Sequence, residues 1–230
     1  IENINASIQA VLFPVLSGEQ DNVQTVKAMV RRSIKMSAYI IFPLVIGLAV
    51  VAKPLVLALL TEKWLGAVPY IQIFCMAYLL MPMQVANIQA IQALGYSGKT
   101  LKIEVIKKII ELIILVITVP ISVPAIAWGI VAYNVICLFI NSKPNKELLG
   151  YGAIEQIVDI APILLASVLM GVITFAVLFL SLSPIITLCL QLIVGVCSYL
   201  LFSVVFKLEA FQYMKDMIEP NIHSRLINKR

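Results

Sequence analysis

Polar side chains inside long apolar runs are costly and are usually functional, and four such residues of this sequence are the candidates: Lys53, Gln84, Asn87 and Glu111. An ammonium at the centre of a bilayer costs about 3 kcal/mol. Lys53 is therefore expected either to extend its long stem toward the nearer membrane surface or to bind an anionic group. The amides of Gln84 and Asn87 can either bind a neighbouring helix or line a polar path.

Glu111 is the deepest member of a charged group that also contains Glu104, Lys107 and Lys108. On a helix, residues four apart are neighbours, so the spacing predicts ion pairs of Glu104 with Lys108 and of Lys107 with Glu111. Such pairing lowers the cost of carrying charge into the membrane interface. The group can therefore be structural, or Glu111 can line a substrate path.

None of these residues belongs to a pattern typical of bond-making chemistry, since HExxH, GxSxG, Walker and Rossmann motifs are absent from the sequence. The four cysteines are scattered through apolar runs and form no CxxC. We therefore predict no catalytic residue, no metal site and no cofactor. The chain is not expected to be an enzyme, and its chemistry is expected to be binding.

The elements that position these residues follow from hydropathy. The chain has 230 residues, of which 61% are hydrophobic and 13% charged, and its mean hydropathy is +1.01. A helix needs about 20 apolar residues to cross a bilayer. The sequence predicts an all-α, polytopic membrane bundle of about seven transmembrane helices. The first is truncated, at 4–16, and the others lie at 36–60, 69–94, 103–120, 124–142, 157–180 and 185–206.

The positive charges fix the orientation of these helices. Apart from Lys53 and Lys63, every Lys and Arg lies in alternate gaps between the apolar runs or, for Lys107 and Lys108, in the half of span 103–120 next to such a gap. Such basic gaps stay on the cytoplasmic side. The net charge of +5 is therefore a topology signal and not evidence of nucleic-acid binding. We expect a multi-pass protein with a cytoplasmic C-terminus. Two amphipathic segments, 23–35 and 208–218, are predicted to lie on the membrane surface.

Four segments carry a family resemblance. FPVLSGEQD and RRSIKMSAYIIFPLVIGLAVVAKPLVLALLTEKW resemble the C-terminal half of polysaccharide flippases, the Wzx-type lipopolysaccharide and exopolysaccharide exporters of the multidrug/oligosaccharidyl-lipid/polysaccharide superfamily. PYIQIFCMAYLLMPMQVANIQAIQALGYSGKTLKIEVIKK looks like the next helical hairpin of that family, and INSKPNKELLGYGAIEQIVDIAP is similar to its following cytoplasmic loop. The matching residues include Pro82, Asn87, Glu104, Lys108, Gly150, Tyr151 and Asp159. The resemblance covers roughly residues 10–165.

The resemblance implies two pseudo-symmetric lobes around a cationic cavity in the bacterial inner membrane. Residues 1–165 would then be the C-terminal lobe, 166–206 additional membrane helices and 207–230 a cytoplasmic tail. The implied activity is flipping of an undecaprenyl-pyrophosphate-linked oligosaccharide for cell-surface polysaccharide biosynthesis. The implied partners are this lipid-linked oligosaccharide, membrane lipids and an N-terminal lobe of the same protein. Lys53, Gln84, Asn87 and Glu111 are the candidate liners of the path.

Two other functions remain open at this point. A cation-coupled multidrug exporter of the same superfamily would have the same architecture, although it favours acidic cavity residues. A membrane glycan polymerase needs a sizeable loop that carries catalytic residues, and the gaps between the apolar runs are short. A non-transporting scaffold is a further alternative that the sequence does not exclude.

Overall fold

The computed structural model describes residue 14, residues 16–19 and residues 22–215. The predicted truncated first helix at 4–16 and the tail beyond residue 215 lie almost entirely outside these residues. Every regular element in the described part of the chain is helical. The helices are α1 (Val23–Leu59), α2 (Val68–Tyr78), α3 (Met81–Ala93), α4 (Ser97–Thr118), α5 (Val123–Leu149), α6 (Ala153–Ala176) and α7 (Pro184–Val205), with 3₁₀ turns at Glu62–Ala67 and Val177–Leu180.

Five of the helical segments within 22–215 are long and apolar enough to cross a membrane. They are Val23–Leu59, Glu62–Ala93, Val123–Leu149, Ala153–Leu180 and Pro184–Val205. The predicted span at 103–120 also forms a helix, α4, but six charged residues set it apart from these five. The prediction of an all-α, multi-pass membrane bundle is confirmed.

The prediction of a separate surface helix at 23–35 is wrong, because α1 runs without a break from Val23 to Leu59. Asn22 caps its start, accepting a hydrogen bond from the Thr25 amide at 3.1 Å. No helix breaker separates the amphipathic segment from the apolar run that follows. Its apolar face, including Val26 and Val30, is buried in the protein core and does not lie on lipid.

The predicted span at 69–94 is divided into two helices. α2 ends at Tyr78 and α3 begins at Met81, with Pro82 in the first turn of α3. A proline there has no N–H to donate to the preceding turn, so it interrupts the hydrogen-bond ladder. The break allows α3 to pack against both α1 and α5.

The main core lies where α1 meets α6, α3 and α7. Gly171 of α6 lies so close to α1 that a Cβ atom in its place would be 2.8 Å from Ile46 Cγ2. This is the small-residue packing that lets membrane helices approach closely. After α7, residues 209–215 form a further short helix, which packs on the bundle through the buried Leu208 and Ala210.

α4 lies at the edge of the bundle. Its buried residues are Thr100 and Ile103, and nearly all of its other side chains are half-buried or exposed. It packs mainly on α5, where Gly129 lies close to Ile114 and Thr118. α4 therefore presents most of its surface to something other than the described part of this chain.

Candidate functional site at the basic end of the bundle

The described parts of the basic segments meet at one end of the bundle, which we call the basic end. Contacts across it join α1 to α6 and to helix 209–215, and α4 to α5. They are Lys27 Nζ to Gly150 O (2.7 Å), Arg31 to Asp159, Lys35 Nζ to Glu209 Oε2 (2.7 Å) and Lys99 Nζ to Glu147 Oε2 (3.8 Å). This clustering agrees with the alternation of charge along the sequence.

Asp159 is the centre of the contact between α1 and α6. Its carboxylate accepts a hydrogen bond from the Arg31 guanidinium and another from the Tyr151 hydroxyl at 2.8 Å, and Lys35 Nζ lies 3.7 Å away. Burial, together with the negative charge of Asp159, raises the pKa of the Tyr151 phenol above its usual value. The hydroxyl therefore stays protonated and keeps donating. Sequence reasoning missed this cluster, although Arg31 and Lys35, four residues apart, already lie on one face of α1.

Asn87 is the centre of a second, fully buried cluster of amides that joins α3, α5 and α6. Its Nδ2 donates to Gln156 Oε1 at 2.9 Å, and its Oδ1 accepts from Gln156 Nε2 and Asn145 Nδ2, both at 2.8 Å. Asn145 Nδ2 also donates to the Asn87 carbonyl (3.0 Å), and Gln156 Nε2 donates to the Tyr151 carbonyl (3.2 Å). The structure thus places Asn87 in an interhelical cross-link. A role in a substrate path stays a prediction.

Gln84 lies one turn before Asn87 on α3 and also bonds across helices. Its Nε2 donates to the backbone carbonyl of Asn134 at 3.2 Å and to the side-chain oxygen of Asn134 at 3.1 Å. Asn134 in turn donates to the Ile130 carbonyl of its own helix at 2.9 Å. The two predicted amides of α3 therefore both contact α5, Gln84 near its middle and Asn87 near its basic end.

Lys53 lies in the half of α1 farther from the basic end. Its side chain is exposed, and within residues 22–215 it makes no hydrogen bond or ion pair. The four predicted path residues therefore do not meet at one point. Lys53 is on α1, Gln84 and Asn87 are on α3, and Glu111 is on α4.

Glu111 belongs to a charged stripe on α4, but the predicted pairing within the stripe is wrong. Lys107 Nζ binds Glu104 at 2.6 Å and Lys108 Nζ binds Glu111 at 2.7 Å, so both pairs are three residues apart and not four. Both spacings bring side chains together on a helix surface. The Lys107 side chain is 12% exposed, while that of Lys108 is 73% exposed. The second pair therefore faces outward from the bundle.

The described residues contain no group of three or more His, Cys, Asp or Glu side chains placed to hold a metal ion. The arrangement consists of ion pairs, amide cross-links and exposed cations. What it can do chemically is bind polar or anionic groups at a membrane surface.

Comparison with known proteins finds similarity over parts of this sequence. Residues 1–69 match the model of a family described as "Polysaccharide biosynthesis protein". A stretch of 74 residues is 38% identical to an "Uncharacterized membrane protein in cps region" of Klebsiella pneumoniae, covering 32% of this chain and 15% of that protein. A stretch of 92 residues is 29% identical to the "Teichuronic acid biosynthesis protein TuaB" of Bacillus subtilis (strain 168), covering 40% of this chain and 19% of that protein.

The chain thus aligns with less than a fifth of the length of either relative. No solved structure matches it. The chain is a multi-pass, all-α membrane protein whose first 69 residues are similar to proteins of polysaccharide biosynthesis.

Proposed function

We propose that this chain is part of a transporter that flips a lipid-linked oligosaccharide, carried on undecaprenyl pyrophosphate, across the bacterial inner membrane for cell-surface polysaccharide biosynthesis. In this proposal the protein is not an enzyme, and the basic end with the C-terminus faces the cytoplasm. Its partners are the lipid-linked oligosaccharide, membrane lipids and an N-terminal lobe of the same protein. The similarity to polysaccharide biosynthesis proteins supports the pathway.

The charged stripe of α4 is the observation that carries the transport step. At 100° per residue, Glu104, Lys107, Lys108 and Glu111 lie within an arc of roughly 100° on one face of the helix. The Lys108 side chain is 73% exposed and the Glu111 side chain is 48% exposed. Charges at such positions in a membrane helix face a protein partner or a water-filled cavity and avoid lipid. A polar path beside α4 satisfies them.

The chemistry of the substrate fits such a path. A pyrophosphate and a polar glycan cannot cross hydrocarbon without partners, because unpaired polar and charged groups are costly to bury. Cations and hydrogen-bonding groups along α4 offer partners in turn, and charge-assisted bonds to phosphate oxygens are among the strongest that proteins make. The polyprenyl chain can remain in lipid throughout.

The test is translocation of a lipid-linked oligosaccharide in vesicles that contain the full-length protein. We expect Lys108→Gln to lower the initial rate by about fivefold, because an exposed cation of the path is lost while the fold remains. The matched control is Lys102→Gln, since Lys102 is an exposed cation of the same helix two residues before Glu104, on the opposite face. Equal rates for the two variants at equal protein level would contradict the assignment of this face.

A second variant separates charge from pairing. The double exchange Lys108→Glu with Glu111→Lys keeps the ion pair but reverses its order. If the pair only stabilises the helix, the exchanged protein translocates at the original rate. Under the proposal the exchanged protein translocates more slowly than the original protein, as Lys108→Gln does, because the cation no longer occupies the same place in the path. Uptake of a small cationic drug with no oligosaccharide movement would favour the multidrug exporter instead.

Lys53 gives an independent prediction. If the Lys53 ammonium contacts the substrate phosphates, Lys53→Ala in the full-length protein is expected to lower polysaccharide export about threefold. The matched control is Lys63→Ala, an exposed lysine in the turn that follows α1. Cell-surface polysaccharide is measured at matched membrane protein level. Unchanged export for Lys53→Ala would assign this side chain to snorkelling.

A further inference from the structure

A small basic pocket lies at the basic end between α1 and helix 209–215. It encloses about 220 Å³, and its polar lining comes from Arg31, Arg32, Lys35, Glu209 and Tyr213. Three cations and one carboxylate thus face the same space. Neither the charged stripe of α4 nor Lys53 contributes to it, so the pocket is separate from the path proposed above.

The charges around this pocket do not balance. Arg31 binds Asp159, and Lys35 binds Glu209, which leaves Arg32. Within the part of the chain that the structure describes, Arg32 makes no ion pair, and its guanidinium lies over the Tyr213 ring with 4.1 Å between Cζ and the ring centroid. Three cations against two carboxylates leave one positive charge, which a single phosphodiester would neutralise.

An apolar groove lies further along the same two elements, α1 and helix 209–215. It has a volume of about 950 Å³ and runs between α1 and α7, where its walls include Ile40, Leu44, Leu192, Val196 and Leu200. Leu44 is 55% exposed and Val196 60% exposed, so the groove is open along its length. Its volume and apolar walls suit a hydrocarbon chain.

The two spaces are joined by elements that line both. On α1, Met36 lines the pocket and Ile40, one turn further, lines the groove. Helix 209–215 contributes Tyr213 to the pocket and Met214 to the groove. The cations therefore lie within about one helical turn of the point where the apolar run of α1 begins, which is the depth of a lipid headgroup.

We propose that the pocket and groove together bind one resident anionic glycerophospholipid, with its phosphodiester at Arg32 and an acyl chain between α1 and α7. The charge of the pocket, its depth and its continuity with the groove select this occupant. Arg32 supplies a planar fork of N–H donors that fits phosphate oxygens. The Glu209 carboxylate competes with the phosphate for Lys35. This lipid is held and not transported. The test of lipid binding is therefore independent of the test of oligosaccharide flipping.

The experiment measures which phospholipid the full-length protein retains. The protein is taken from nanodiscs of equal parts phosphatidylglycerol and phosphatidylcholine, and bound lipid is identified by native mass spectrometry. We expect phosphatidylglycerol to be retained about tenfold over phosphatidylcholine, Arg32→Gln to reduce that preference by about fivefold, and Glu209→Gln to increase it. The matched control, Lys143→Gln, removes an exposed cation of the basic end that does not line the pocket and leaves the preference unchanged.

Two further arms identify the occupant. Val196→Trp and Leu44→Trp fill the groove from exposed positions and are each expected to lower phosphatidylglycerol retention without loss of the folded protein. Inorganic phosphate is added at about 10-fold excess over lipid, which matches the tenfold preference expected for phosphatidylglycerol. We expect that this phosphate does not displace the lipid. Displacement by phosphate would overturn the lipid assignment in favour of a soluble anion. The lipid assignment would also be overturned if both phospholipids were retained equally. If the two tryptophan variants changed dimerisation and not lipid retention, the groove would instead bind a protein partner.

Discussion

Replacing Asn87 by Ala is expected to lower the free energy of unfolding by about 3 kcal/mol, since three polar groups lose their partners and each buried loss costs about 1 kcal/mol or more. Gln156 Oε1 loses its donor, and one N–H each of Gln156 and Asn145 loses its acceptor. All three residues are fully buried, so bulk water does not reach the groups that lose their partners. The measurement is reversible unfolding in mixed micelles with increasing SDS.

The matched control for this variant is Gln92→Ala. Gln92 is an amide of the same helix, partly exposed, and makes no side-chain hydrogen bond within residues 22–215. We expect its replacement to change the free energy of unfolding by less than about 0.5 kcal/mol. If Asn87→Ala costs no more than Gln92→Ala, the amide cluster does not hold α3, α5 and α6 together, and a role of Asn87 in the substrate path gains weight.

Gly171→Leu is expected to be about as damaging, lowering the free energy of unfolding by about 3 kcal/mol. A Cβ at this position would already lie 2.8 Å from Ile46 Cγ2 and 3.6 Å from Val50 Cγ2. The larger side chain must therefore push α6 away from α1, along the most extensive helix contact of the bundle. The loss is measured as a lower midpoint in the same SDS titration.

A glycine with free space around it provides the control for this second variant. Gly98, in the first turn of α4, would have no atom within 4 Å of an added Cβ. Gly98→Leu is expected to leave the midpoint unchanged or slightly higher, because leucine favours helix more than glycine does. Equal midpoints for Gly171→Leu and Gly98→Leu would show that α1 and α6 can move apart without loss of stability.

Hydropathy and charge were sufficient to predict the helical architecture. The six predicted spans that fall on described residues are all helical, although 69–94 is divided into two helices, and cations from the described parts of the basic gaps meet at the basic end. These signals are local, since a span needs only a run of apolar residues and an orientation needs only its flanking charges. The same local signals wrongly separated 23–35 from the span that follows, because a change from amphipathic to apolar composition does not by itself end a helix.

The contacts of the candidate residues could not be predicted in this way. Asp159 looks isolated in sequence, yet its partner Arg31 lies 128 residues earlier. Asn87 and Gln156 lie 69 residues apart in sequence and meet through the packing of α3 on the neighbouring helices. Such pairings depend on how helices pack, which hydropathy does not encode. The domain boundaries and the roles of Lys53, Gln84, Asn87 and Glu111 in a path stay predictions.

The contact between Arg31 and Asp159 also has a consequence for the order in which the protein is built. The two residues are 128 positions apart. Since chains are synthesised at roughly 5–20 residues per second, Arg31 emerges about 6 to 25 s before its partner. During this interval α2, α3, α4 and α5 are made, and the carboxylate that pairs with Arg31 does not yet exist. The ion pair is therefore formed late, after all the helices between its two residues have been synthesised.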